Sequence, residues 1–166
     1  MHPITSYHQI LKPLTMKNLE YTEVMEGRLE DLLEKNKDAE KLFEKAAEHA
    51  NSGDLKDFFS QKSVERNGFG YDLKIEMKSF ALDGDKEGTA GGMLQRGWID
   101  VKAFFSNNND KTMLKEAING EKAALEDYRE VLEMPNLPSS TEVLLTQQMG
   151  TISANLSTFE RLVAMA

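Results

Sequence analysis

The sequence predicts an all-α fold, a four-helix bundle made of two antiparallel hairpins with a short extra crossover helix. Three observations predict it. Apolar residues recur at i, i+3 and i+4 along four long segments. Turn-forming clusters rich in Gly, Asn, Asp and Pro separate those segments. No stretch shows sustained strand alternation with hairpin chemistry.

Residues 1–20 contain two prolines and no sustained period, and are read as an N-terminal extension to a bundle domain over 21–166. The first helix is predicted from about Thr22 to Ala50, with Val24, Met25, Leu29, Leu32, Leu33, Phe43 and Ala46 on its apolar face. "NSGD" breaks it and places Asp54 as the N-cap of a second helix, about Leu55 to Leu82. Gly68 and Gly70 inside that helix each cost roughly 1 kcal/mol relative to alanine. "DGDKEGTAGG" ends it.

A shorter helix follows over about Gly92 to Phe105, carrying Leu94, Trp98, Val101 and Phe105. Asp110 then caps a helix over about Lys111 to Glu133. Prolines 135 and 138 stop it, since proline cannot continue a helix. Ser139 and Glu142 read as the capping box of the last helix, which runs to about Ala166. Short connections within each pair and a long one between them give two hairpins packed as a bundle.

Composition narrows the function. With 166 residues, 40% hydrophobic and 29% charged, the chain suits one soluble domain. A net charge of −8 argues against nucleic acid or an anionic membrane surface as partner. There is no cysteine, hence no disulfide and no thiolate metal site. No segment has the apolar length of a signal peptide or membrane span, so the expectation is a cytoplasmic protein.

The stretch "INGEKAALEDYREVL" (118–132) places Glu121 in the middle of an apolar helix face. Glu40 falls on the stripe of the first helix, and counting back from the hairpin turns brings Glu65 and Asn155 to the same level. Asn36 and Gln148 also interrupt their stripes. A buried carboxylate must be protonated, paired or bound to a cation. Di-iron and di-manganese bundles answer with a Glu from each of two helices and Glu-x-x-His from the others. The histidines here are His2, His8 and His49, and none stands in a Glu-x-x-His. Glu40, Glu65 and Glu121 are therefore candidate metal ligands only as a carboxylate set suited to Mg²⁺ or Mn²⁺, or to Fe in a redox site. The competing reading has them paired with nearby Lys, Arg, Tyr or amide groups, with no cofactor, and is preferred. Tyr128 reads as a buried, hydrogen-bonded tyrosine, and His49 as a charge at a helix C-terminus.

"LEDLLEKNKDAEKLFEKAAE" (29–48), "GTAGGMLQRGWIDVKAFF" (88–105) and "INGEKAALEDYREVL" (118–132) resemble a bacterial four-helix-bundle family of unknown function within the ferritin-like superfamily. The resemblance covers about residues 22–163 and implies a ferritin-like bundle with an extra crossover helix and no established reaction. It also implies an association with stress. Two departures remove potential ligands: Gln95 precedes Arg96 where the family usually has histidine, and Leu156 stands where many members carry one.

No Ser-His arrangement or phosphate-cradling loop presents itself. The expected function is therefore a non-catalytic bundle acting through an unknown protein partner or as a homo-oligomer. The alternative is a carboxylate-bridged metal-binding protein or oxidoreductase. A weaker third idea is a small apolar ligand held between the helices.

Overall fold

In the computed structural model, the backbone is described for residues 4–82 and 109–166, and side chains from residue 22 onward within those ranges. Four helices make up these residues: α1 (Ile4–His49), α2 (Gly53–Ser79), α3 (Asp110–Leu132) and α4 (Ser139–Met165). Among the described residues there is no strand. The anticipated Trp98 helix lies outside them.

α1 packs chiefly on α2 and α3 on α4, while α1–α3 and α2–α4 contacts join the two hairpins. Pairing is antiparallel: Asn36 meets Arg66, and four residues later in α1 the Glu40 carbonyl accepts from Ser63 Oγ at 2.9 Å. The expected two-hairpin bundle is the architecture observed.

The apolar faces meet in two clusters. One gathers Phe43, Phe59, Leu114 and Phe159 toward the α1–α2 turn. Phe43 stacks on Phe159 with centroids 6.0 Å apart, and Phe58 meets the same ring edge-on at 5.2 Å. The other gathers Leu29, Leu33, Leu73, Tyr128, Leu145 and Ile152 toward the opposite end. Full burial of each large side chain contributes roughly 1.5–3 kcal/mol. Asn36, Arg66, Glu121 and Gln148 lie between these apolar ends, all buried.

Several boundaries differ from the sequence expectation, each for a local reason. α1 starts at Ile4, so most of the presumed extension continues the same helix. Adding a residue to an existing helix costs far less than nucleating one, and the packed part supplies the nucleus. At 1.5 Å per residue α1 is roughly 69 Å long against roughly 40 Å for α2.

The cap of α2 is Ser52, whose side chain accepts from Leu55 N; Asp54 sits inside the first turn. Asn109, not Asp110, caps α3, its side chain accepting from the Lys111 and Thr112 amides. Asp110 does something else. Its two carboxylate oxygens accept from the Asn51 and Ser52 backbone N–H groups at 2.8 and 3.0 Å, tying the α1–α2 turn to the start of α3.

No capping box forms at α4. Pro138 occupies the cap position and has no side-chain cap bond. Instead Ser140 and Thr141 both donate to Glu76 Oε1 on α2, at 2.6 and 2.7 Å.

α2 ends in a Schellman turn. Leu82 N bonds Met77 O at 2.9 Å and Ala81 N bonds Lys78 O at 3.0 Å. Ala81 occupies the left-handed position with φ 56°, where glycine is the usual residue. The buried Leu82 and Met77 share one apolar cluster, which holds the turn in place.

Candidate polar site inside the bundle

The polar layer grows from four helices. α2 contributes Arg66, which falls seven residues after Phe59 and seven before Leu73 on the inward stripe. Its Nη2 donates to Glu121 Oε1 on α3 at 2.5 Å, and the two side chains are 2% and 1% exposed. Its Nη1 donates to Asn36 Oδ1 on α1 at 2.8 Å.

Asn36 passes the network on: its Nδ2 donates to Tyr128 Oη and to the Leu32 carbonyl, both at 2.8 Å. Tyr128 Oη donates to Gln148 Oε1 on α4 at 2.7 Å, and Gln148 Nε2 donates to the Phe69 carbonyl at 3.2 Å. The chain Glu121–Arg66–Asn36–Tyr128–Gln148 thus touches every helix of the bundle. Burial makes each link stronger than its equivalent in water, and makes losing one more costly.

A second cluster lies alongside. Glu65 accepts from Asn155 Nδ2 through Oε1 at 2.5 Å and from Lys62 Nζ through Oε2 at 3.2 Å. Lys62 also donates to Asn155 Oδ1 at 2.8 Å and lies 5.2 Å from the Phe58 ring centroid. Glu65 and Lys62 are close enough to act electrostatically on Glu121.

Burial pushes the Glu121 carboxyl above its ordinary value, and the Arg66 guanidinium only partly offsets this. Burial likewise pushes the Tyr128 phenol up to about 12. Tyr128 therefore stays neutral and serves as donor and acceptor at once.

Of the sequence candidates, Glu65 and Glu121 come together with Asn155 as the level-counting predicts. Glu40 does not join them. It is half-buried on the outer side of the α1–α2 interface, its Oε1 accepting from the exposed Asn67 Nδ2 at 3.0 Å. The count is two residues off, since Ser63 rather than Glu65 lies level with Glu40. His49 closes α1, its Nδ1 hydrogen-bonded to the Lys45 carbonyl at 2.8 Å.

Arg66 and Lys62 are the residues sequence reasoning missed. The signal was the heptad Phe59–Arg66–Leu73, in which a cation takes a core position.

The layer balances two carboxylates, Glu65 and Glu121, with two cations, Lys62 and Arg66. A dinuclear metal site does not fit this set. The guanidinium occupies one oxygen of Glu121, Lys62 and Asn155 engage both oxygens of Glu65, and Glu40 stands apart. Among the described residues no group of three or more His, Asp or Glu side chains is arranged to hold a metal. Two buried atoms of the layer have no hydrogen-bond partner among the described residues: Arg66 Nε and Glu121 Oε2. The cavity beside Arg66 and Tyr128 is about 10 Å³, the size of one water. A larger opening of about 400 Å³, lined by Leu55, Phe58, Leu114 and Leu162, lies at the α1–α2 turn end.

A family model described as a domain of unknown function, DUF2383, matches residues 25–134. The chain belongs to this family. The DUF2383 match takes in Asn36, Arg66, Glu121 and Tyr128; Gln148 and Asn155, on α4, lie beyond it. No curated protein and no solved structure matches the chain.

Proposed function

We propose that this DUF2383 chain is a non-catalytic, ferritin-like bundle protein of the cytoplasm that works through protein contacts or self-association. The resemblance described above adds an association with stress. The observation carrying this reading is the Arg66–Glu121 pair at 2.5 Å. It spends the most buried carboxylate of the layer on an internal cation. Among the described residues no helix is long and apolar enough to cross a membrane.

The alternative is a carboxylate-bridged site for Fe, Mn or Mg built on Glu65 and Glu121, with Glu40 recruited by movement. One observation favours it: Glu121 Oε2 is buried without a hydrogen-bond partner among the described residues. Against it stand two cations within the layer, which repel a third.

The test is elemental analysis of the purified protein after incubation with Fe²⁺, Mn²⁺, Mg²⁺ or Zn²⁺ and desalting. The non-catalytic reading expects far less than one ion per chain. Stoichiometric metal that vanishes in a Glu65→Ala, Glu121→Ala double variant overturns it.

A further inference from the structure

The outward face of α2 carries an apolar stripe. Val64, Tyr71 and Ile75 are 73%, 65% and 51% exposed and follow one another at intervals of seven and four residues. These intervals keep them on one side of the helix. Gly68 lies on the same line. A Cβ built on it would meet no described atom within 4 Å. Packing among the described residues therefore gives no reason for a glycine in the middle of this helix. The close approach of another backbone does.

The stripe is also ordered by charge. Between Asp57 and Lys78 the exposed positions of α2 are Ser60, Gln61, Val64, Asn67, Gly68, Tyr71, Asp72 and Ile75, of which only Asp72 is charged. Val64 and Tyr71 lie equally far on either side of the Asn67–Gly68 bond. So do Ser60 and Ile75, and so do Asp57 and Lys78. A segment laid antiparallel on its own copy about that point sets Val64 on Tyr71 and Asp57 against Lys78, with Ser60 beside Ile75. A parallel arrangement sets Asp57 against Asp57 and Lys78 against Lys78. Two-fold symmetry requires that one patch complement itself in this way.

We propose that two copies of the chain pair through α2, antiparallel about a two-fold axis, with Gly68 at the crossing point. Val64 of each copy packs on Tyr71 of the other, and Asp57 of each faces Lys78. The inference rests on the reading of the chain as a contact-making protein and names its partner as a second copy.

Sedimentation velocity of the full chain across about two decades of concentration tests it, because association follows mass action. The wild type is expected to approach twice the monomer mass at the upper end. Val64→Lys and Tyr71→Glu, both at exposed positions, are each expected to weaken association at least tenfold with an unchanged helical spectrum. Mixing these two variants is expected to restore a dimer, since the introduced ammonium of one and the introduced carboxylate of the other then meet across the axis.

A wild type that stays monomeric throughout overturns the proposal. So does a dimer that ignores both substitutions, or a mixture that fails to recover. Metal analysis of the same sample separates the two readings. A metal-free monomer defeats the pairing alone, whereas stoichiometric metal defeats the parent reading whatever the mass.

Discussion

Arg66 on α2 and Glu121 on α3 meet in the centre of the bundle, nitrogen to oxygen at 2.5 Å, with almost no exposure to solvent. The contact joins the two hairpins where the apolar core is interrupted. It sets the register of one hairpin against the other, because a shift of one turn on either helix would bury both charges unpaired. A buried pair adds little net stability over well-packed apolar residues, but breaking it leaves a charge in the core.

Ala81 occupies a left-handed turn position at φ 56°. An L side chain there costs roughly 1 kcal/mol, and glycine removes the clash. Ala81→Gly is expected to stabilise the protein by about 0.5–1 kcal/mol, read from the midpoint of urea unfolding.

Tyr128 links folding to alkaline pH. Folding raises its phenol from 10.0 to about 12. Between those values the unfolded chain has lost a proton that the folded chain keeps, so stability falls as pH rises. The contribution is fully present below pH 10 and gone above about pH 12, a loss of about 3 kcal/mol across the window. Tyr128→Phe lowers stability at neutral pH by breaking two hydrogen bonds. Its unfolding free energy should also fall less steeply with pH across that window than the wild type's.

Asp110 links the α1–α2 turn to α3 through both oxygens of its side chain. Asp110→Ala leaves the Asn51 and Ser52 amides to solvent. Its expected cost is about 1–2 kcal/mol, since the bonds are charge-assisted but partly exposed. Amide hydrogen exchange should show the loss concentrated at residues 51 and 52.

Phe159 stands at the centre of the aromatic cluster, against Phe43, Phe58 and Phe59. Phe159→Ala should cost about 3–5 kcal/mol by opening a cavity between the hairpins. Thermal unfolding measures it directly. Val143→Ala, at an exposed position of the same helix, should change stability by less than about 0.5 kcal/mol.

Much of this was legible in the sequence. Glu121 could be placed in the core because Ala117, Ala124 and Tyr128 fix the helix face around it. Asn36 and Gln148 were legible for the same reason. Arg66 was missed because arginine on a stripe reads as a side chain reaching for solvent; only the third dimension, with Asn36 and Glu121 opposite, turns it inward. The cap of α2 fell on Ser52 and not Asp54, since two capable residues stood within one turn and sequence does not rank them. Ser139 and Glu142 have capping-box spacing, yet Glu76 from another helix claims the neighbouring Ser140 and Thr141 hydroxyls. Tertiary partners decided Arg66 and the start of α4, and they are invisible to local pattern; the α2 cap was decided within its own turn.

A double-mutant cycle on Arg66→Met and Glu121→Leu measures most directly whether this layer is neutralised by its own residues. Urea unfolding of the metal-free wild type, both single variants and the double variant supplies the four free energies. Each single variant is expected to lose about 3–5 kcal/mol, and the double variant to recover at least about 2 kcal/mol of the summed loss. Additive losses, with no recovery in the double variant, would contradict that neutralisation.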